Sequence, residues 1–165
     1  MNAEANYTIQ RWFGRRTGRK LTAARRRLMT ELLPRLRLDP GSDLGNAAAL
    51  FPKSAEDLWM EIGFGGGEHL VAQAMRHPNI GFIGCEPYVN GVAALLAAIN
   101  DKALTNIRVF DDDVRQLMPA MPAACLGRLY ILFSDPWPKV RHHRRRITVE
   151  SNLCSFARLL RPGAE

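Results

Sequence analysis

Short apolar runs alternate along this chain with longer stretches whose apolar positions recur every three or four residues. Residues 58–62, 80–85, 107–110 and 128–133 are short runs that end in glycine, proline or acidic residues. Such bounded runs, without polar alternation, read as buried strands. Residues 69–76, 89–100, 114–118 and 147–160 carry helical spacing, with stops at Pro78, Pro119 and Pro162-Gly163. Strands alternating with helices at this spacing predict an α/β domain with a parallel, doubly wound sheet. Upstream, a helix is predicted over residues 22–33, broken by Pro34, Pro40 and Gly41, and a loop over 41–51 leads to Pro52. The expected division is a basic arm and helix over 1–50 and an α/β domain over 51–165. Four strands are thin for this architecture. Further strands are expected beyond Gly163, so the chain reads as a fragment whose C-terminal strands are missing.

The 165 residues, 47% of them hydrophobic, suffice for one folded domain with a core of its own. The formal net charge of +7 favours a polyanionic partner. Much of the charge lies in an arm holding Arg11, Arg15, Arg16, Arg19, Lys20, Arg25, Arg26 and Arg27, interleaved with Trp12 and Phe13. Cys85, Cys125 and Cys154 are scattered with no Cys-x-x-Cys pair, which argues against a disulfide framework or a zinc site and for small core residues in a reducing compartment. Trp59, on the first strand, reads as core. No apolar run reaches membrane-spanning length, and residues 1–10 hold no signal core, so the expected location is cytoplasmic.

Four segments carry candidate chemistry. In Glu61-Ile62-Gly63-Phe64-Gly65-Gly66-Gly67-Glu68, glycines end a strand, permit a tight turn and feed a helix start. The Gly-x-Gly-x-x-Gly dinucleotide spelling fails here, because Glu68 stands in its last position. The spelling resembles the nucleoside-binding loop of class I S-adenosylmethionine-dependent methyltransferases. Glu86 ends the second strand, where an acidic residue can accept both ribose hydroxyls of a nucleoside. Asp111-Asp112-Asp113 follows the third strand, and one of its carboxylates could accept from an adenine amino group. Asp113 is favoured because it directly precedes the helical pattern, with Asp112 the alternative. The most specific segment is Ser134-Asp135-Pro136-Trp137-Pro138-Lys139, followed by Arg141-His142-His143-Arg144-Arg145-Arg146. Two prolines stiffen a projecting platform. A carboxylate beside an indole suits a flat polar base, and the cations suit its phosphates. Trp137 either stacks on that base or buttresses the loop. His142 and His143, being adjacent, cannot share one face as metal ligands, so no metal site is expected.

The Asp-Pro-Trp-Pro-Lys spelling with its basic run resembles the tRNA (guanine-N7-)-methyltransferase family, and the likeness extends from the arm at Arg11 through Pro162-Gly163. It implies a Rossmann-like class I methyltransferase fold, S-adenosyl-L-methionine as cofactor and tRNA as partner. The implied reaction is methyl transfer to N7 of guanine at position 46 of the variable loop. Gly63 and Gly65 belong to the implied cofactor loop. Glu61, Glu86 and Asp113 match cofactor contacts. Asp135 matches an active-site aspartate beside both donor and guanine. Lys139 matches a substrate-nucleotide contact, and Arg141, His142, Arg144, Arg145 and Arg146 fall in the RNA-contacting stretch. Val140 stands where many members carry another basic residue, and substrate positions that the family has beyond Glu165 are absent. Methylation of another nucleic-acid base and a non-catalytic RNA-binding remnant are the alternatives.

Overall fold

The computed structural model describes residues 14–42, 44–51, 53, 55–132 and 134–165. Residues 1–10, Arg11, Trp12 and Phe13 of the arm, Pro52 and Phe133 lie outside the described residues. Four strands, β1 (Asp57–Ile62), β2 (Ile80–Cys85), β3 (Ile107–Phe110) and β4 (Arg128–Ile131), form one parallel sheet in the order β3-β2-β1-β4. The ladder pairs Ile62 with Cys85 on one side and with Ile131 on the other, and Cys85 with Phe110. All four strands therefore end at one level, and the residues just after them share one rim. The order turns around β1, which has β2 and β4 as neighbours. A crevice opens at such a switch point, outside the carboxyl ends of the strands.

Among the described residues six α-helices accompany the sheet, α1 against α2 and α4: α1 (Ala23–Glu31), α2 (Leu33–Leu36), α3 (Glu68–Arg76), α4 (Val89–Lys102), α5 (Val114–Leu117) and α6 (Glu150–Leu159). Because successive strand residues face opposite ways, the sheet supplies two cores. Phe82, Ile107 and Val109 pack with Leu70, Val71 and Ala74 of α3 and with Val92, Leu95, Leu96 and Ile99 of α4. Leu33 and Leu36 close that side. Met60, Ile62, Ile83 and Phe110 pack with Val114 and Leu117 of α5 and Phe156 and Leu159 of α6. Leu38 and Leu44 join this second core, so the segment after α2 wraps from one face to the other.

Several expectations are refined. Pro34 does not simply end the first helix. It sits in the first turn of α2, where a missing N–H costs nothing. α6 starts at Glu150 rather than 147, because buried Asn152 donates Nδ2 to the Ile147 carbonyl at 2.9 Å and holds the approach in a turn. β4 ends at Ile131 and is half-buried along its length; it is the last strand on its side of the sheet, and among the described residues only the segment after α6 lies along its outer edge, with Leu129 N donating to the Glu165 carbonyl at 2.8 Å. Trp59 is half-buried, with its indole N–H on Asp57 Oδ2 at 2.9 Å and the Arg128 guanidinium over its ring. Cys85 is buried as expected, but Cys125 is half-buried and Cys154 exposed. Below the sheet, Arg161 forks onto Asp57, with Nη1 on Oδ1 and Nη2 on Oδ2 at 2.7 Å each.

Candidate functional site

The glycine turn leaves β1 through three left-handed residues, Gly63 at φ 74°, Gly65 at 57° and Gly67 at 85°. Only glycine takes such angles without a Cβ penalty, which is why this segment can reverse into α3 within five residues. The Gly63 N–H donates to the Cys85 carbonyl at 2.8 Å, pinning the turn to β2. A Cβ on Gly91, in the first turn of α4, would lie 2.1 Å from the Gly65 carbonyl oxygen. Glycine at 91 is thus a condition of the turn's shape. Glu86 ties the same parts from the side: Oε2 accepts from Gly65 N and Oε1 from Tyr88 N, both at 2.9 Å. Burial pushes the Glu86 carboxyl above its ordinary value of 4.5, the two N–H groups pull the other way, and the Asp135 carboxylate adds to the rise.

Each aspartate after β3 has its own attachment. Asp111 pairs with Arg37, whose Nε lies 2.7 Å away. Asp112 pairs with Arg16 of the arm and accepts from Asp113 N at 2.7 Å. Asp113 is the N-cap of α5, accepting from Arg115 N at 3.1 Å, and both its oxygens lie 2.9 Å from Arg115 Nε. Its carboxylate is only 3% exposed, whereas that of Asp112 is about a quarter exposed.

After β4 the chain leaves the sheet as the expected projecting loop, with Ser134, Asp135, Pro136, Pro138 and Lys139 all exposed. Trp137 has φ 39°, a left-handed angle that costs a bulky residue strain. The basic run holds it there. Arg146 donates Nε to the Pro136 carbonyl at 2.8 Å and Nη2 to the Trp137 carbonyl at 3.2 Å. The Arg145 guanidinium lies over the indole at 5.1 Å, and the His142 ring meets it edge-on at 5.6 Å. The run folds as a 3-10 turn, Val140–Arg145. The six expected RNA contacts thereby divide. Lys139, Arg141 and Arg144 are exposed, while Arg145 and Arg146 turn back on the loop. Lost hydration and then the surrounding cations, Arg145, Arg141, Lys139 and Arg144, push His142 below its ordinary 6.5.

These pieces meet at the strand ends around a cavity of about 470 Å³. Gly63, Glu86, Asp112, Asp113, Asp135, Trp137 and Arg145 line it, as do Gly14 and Arg15 of the arm. Of the residues expected at the cofactor, Gly63, Glu86, Asp113 and Asp135 are brought together. Gly65 supports the wall through Glu86. Glu61 is not among the lining residues. It lies 3% exposed on β1, with its Oε2 2.8 Å from His69 Nδ1 of α3. Burial raises its pKa above 4.5 and His69 offsets part of the rise. The His69 ring continues to Gln73 at 3.1 Å and stands edge-on to Tyr130. His69, Tyr88, Gly91 and the arm's Arg15 were not singled out from the sequence for this site. For His69 a signal existed, because a polar residue just past a strand–turn–helix junction returns toward the strand's end. For Arg15 only the general basicity of the arm pointed the way. Among the described residues no cluster of three or more His, Cys, Asp or Glu could hold a metal ion, and no helix is long and apolar enough to cross a membrane.

The volume suits a small-molecule ligand with a nucleoside-sized head. Buried carboxylates stand at its rim, with a glycine turn beside them. A tRNA (guanine-N(7)-)-methyltransferase of Rhodospirillum rubrum is 50% identical over 160 residues, covering 94% of this chain and 62% of that protein. One of Nitrobacter hamburgensis is 48% identical over 155 residues, covering 93% of this chain and 61% of that protein. The chain thus spans about three fifths of the length of these curated relatives. Among solved structures, a 16S rRNA (adenine(1408)-N(1))-methyltransferase variant from Catenulisporales acidiphilia, with cosubstrate SAM, matches at TM-score 0.52 and 23% identity over 77% of this chain and 60% of its own. An antibiotic-related methyltransferase matches at TM-score 0.50 and 19% identity over 65% of this chain and 54% of its own. At those identities the likeness is one of fold, the Rossmann-like fold of class I methyltransferases. Residues 55–165, from just before β1 to the last residue, match the family described as "Putative methyltransferase", and the chain belongs to that family.

Proposed function

We propose that this chain forms the donor-binding and catalytic part of an enzyme that methylates N7 of guanine in tRNA, at position 46 of the variable loop, using S-adenosyl-L-methionine. One observation carries the reading. Asp135 and Trp137, from the most specific motif of the sequence, open into the same cavity as Glu86 and Asp113. The curated relatives, matched over 93–94% of this chain, are named tRNA (guanine-N(7)-)-methyltransferase, which supports N7 of a tRNA guanine as the acceptor. A cytoplasmic location goes with a tRNA substrate.

When bound, S-adenosylmethionine supplies a methyl group already activated by the sulfonium charge. The chain's residues supply position. Gly63 lets the backbone approach the ligand without a Cβ in the way. Glu86, buried and held by two N–H donors, keeps free lone pairs for ribose hydroxyls. Asp112 or Asp113 accepts from the adenine amino group. Asp112 is the more open of the two. Asp113 is committed to Arg115 and the α5 cap. Asp135 accepts from the guanine N1–H and amino edge. Guanine N7 carries a lone pair and no hydrogen, so no general base is needed. Orientation accounts for the rate. Stacked guanine must leave its stack to enter the cavity, and Trp137 is held at its wall by Arg145 and Arg146.

The test is nucleoside analysis of tRNA incubated with the chain and methyl-labelled donor. Labelled 7-methylguanosine is the expected product. A different labelled nucleoside would reassign the base, and binding of neither S-adenosylhomocysteine nor tRNA would overturn the reading.

A further inference from the structure

The basic arm holds two kinds of cation. Arg16 pairs with Asp112 and Arg27 with Glu31, and Arg37, beyond the arm, pairs with Asp111. These cations are already answered. Arg15, Arg19, Lys20 and Arg25 are exposed, and among the described residues no carboxylate lies within ion-pair distance of any of them. All four line one groove of about 370 Å³. Like charges gathered around one concavity repel each other and concentrate a positive potential there. The folded state bears that cost because the backbone is fixed from below. Asn90 accepts from Gly18 N at 2.8 Å and donates Nδ2 to the Arg19 carbonyl at 2.7 Å, while Val89 N donates to the Arg16 carbonyl at 2.9 Å. The arm is thus clamped to the start of α4, with its unanswered cations held in a set place.

The groove also has a neighbour. Arg15 and Tyr88 line both it and the 470 Å³ cavity. We propose that this groove is a phosphate subsite that seats a backbone phosphodiester of the RNA strand whose guanine enters the neighbouring cavity. The inference rests on the methyltransferase reading above and adds a registering contact on the arm, separate in sequence from the Lys139–Arg144 turn. The groove's amide, Asn90, is already bonded to the arm backbone, and cations that meet phosphate select charge, not sequence, so the contact positions the strand rather than identifying it.

The experiment measures anisotropy of a fluorescein-labelled unmodified tRNA transcript as a function of salt. The full chain is compared with the triple variant Arg19→Ala, Lys20→Ala, Arg25→Ala, leaving Arg15 alone because it also lines the methyl-donor cavity. Arg26→Ala, on the same helix but outside the groove, is the control. The triple variant is expected to bind about tenfold or more weakly near 0.1 M salt, with a salt slope smaller by roughly 2 to 3, while Arg26→Ala changes little. Its S-adenosylhomocysteine affinity should stay within about twofold, because a groove that reads only phosphate leaves the nucleoside wall untouched. The Lys replacements Arg19→Lys and Arg25→Lys should keep the slope. Equal losses in the triple variant and the control, scaled by charge, would mean a diffuse field and overturn the subsite. So would an unchanged slope. If inorganic phosphate competes no better than chloride at equal ionic strength, while the triple variant still loses RNA, the groove takes only a phosphodiester. If inorganic phosphate binds and RNA binding is unmoved by the triple variant, the groove is a small-anion site and the RNA assignment falls. If the unaltered chain binds S-adenosylhomocysteine but no RNA, the tRNA reading itself fails, and the subsite with it.

Discussion

The two walls of the cavity differ in how they are held. The glycine-turn wall, with Gly63 and Glu86, stands on backbone hydrogen bonds and on α3 and α4, whose Leu70, Leu95 and Leu96 are almost wholly buried. The Asp135 wall rises from the half-buried strand β4 and is fixed by side chains folding back: Arg146 on two carbonyls, Arg145 and His142 on the indole. The first wall is inseparable from the core. The second could be rebuilt without unfolding the sheet. A fold that binds one constant ligand and must fit varied acceptors gains from that separation, because acceptor preference can change at little cost to stability.

Substitutions can test that asymmetry. The largest effect is expected from Asp135→Ala, which should lower methyl transfer by about 10²-fold or more while melting temperature and tRNA affinity hold. A parallel loss of melting temperature would show that the second wall is structural after all. Leu95→Ala, in the first wall's support, should cost about 2–5 kcal/mol in denaturant unfolding, whereas Val140→Ala, in the turn that follows the second wall and 82% exposed, should stay within about 0.5 kcal/mol. Gly91→Val should weaken S-adenosylhomocysteine binding about tenfold and destabilise by about 1–3 kcal/mol, since its side chain would collide with the Gly65 carbonyl. Equal donor affinity in that variant would mean the turn has room to move.

The smallest expected effect concerns pH. Glu86 and Glu61 are both raised above 4.5 in the folded protein, chiefly by burial. Between that value and the raised one, the folded chain holds protons that the unfolded chain has released. Their contribution to stability is therefore fully present below the unfolded value and is lost as pH rises through the folded one. Donor binding runs the other way. With Glu86 holding the donor's ribose as proposed, its ionised form is the binding one, so S-adenosylhomocysteine affinity should begin to fall on acidification from about pH 7 at a higher pH than an ordinary carboxylate would give. Glu86→Gln should bind more weakly at neutral pH and lose that dependence. An identical profile in the variant would assign the titration elsewhere.

What could be read from the sequence followed the range of the interactions. β2 and β3 match their expected bounds residue for residue, since Pro78-Asn79, Glu86-Pro87 and Asp111 punctuate them locally. The placement of Glu86, Asp113 and Asp135 on one rim followed from strand alternation alone. Illegible were the pairings across long separations. Arg16 meets Asp112 96 residues away, and no local pattern separates it from Arg15, which faces the groove. Nor could the basic run show that Arg145 and Arg146 serve the loop, while Arg141 and Arg144 face solvent. Charge is visible in a sequence, but the direction in which it points is a property of the packed chain. Glu61 makes the same point in reverse. Its spelling marks it for the ligand, while its nearest polar partner in the fold is His69.

The fork between Arg161 and Asp57 joins residues 104 apart, nearly the whole span of the α/β region. Once β4 has paired with β1, the fork has only the segment after α6 left to tie down, so it is expected to order after the sheet. The segment after α6 and the neighbouring edge β4 should accordingly open first when the protein breathes. Amide exchange at Leu126 and Leu129, whose N–H groups bond to Leu159 and Glu165, should then outpace exchange at Phe82 in the sheet's centre.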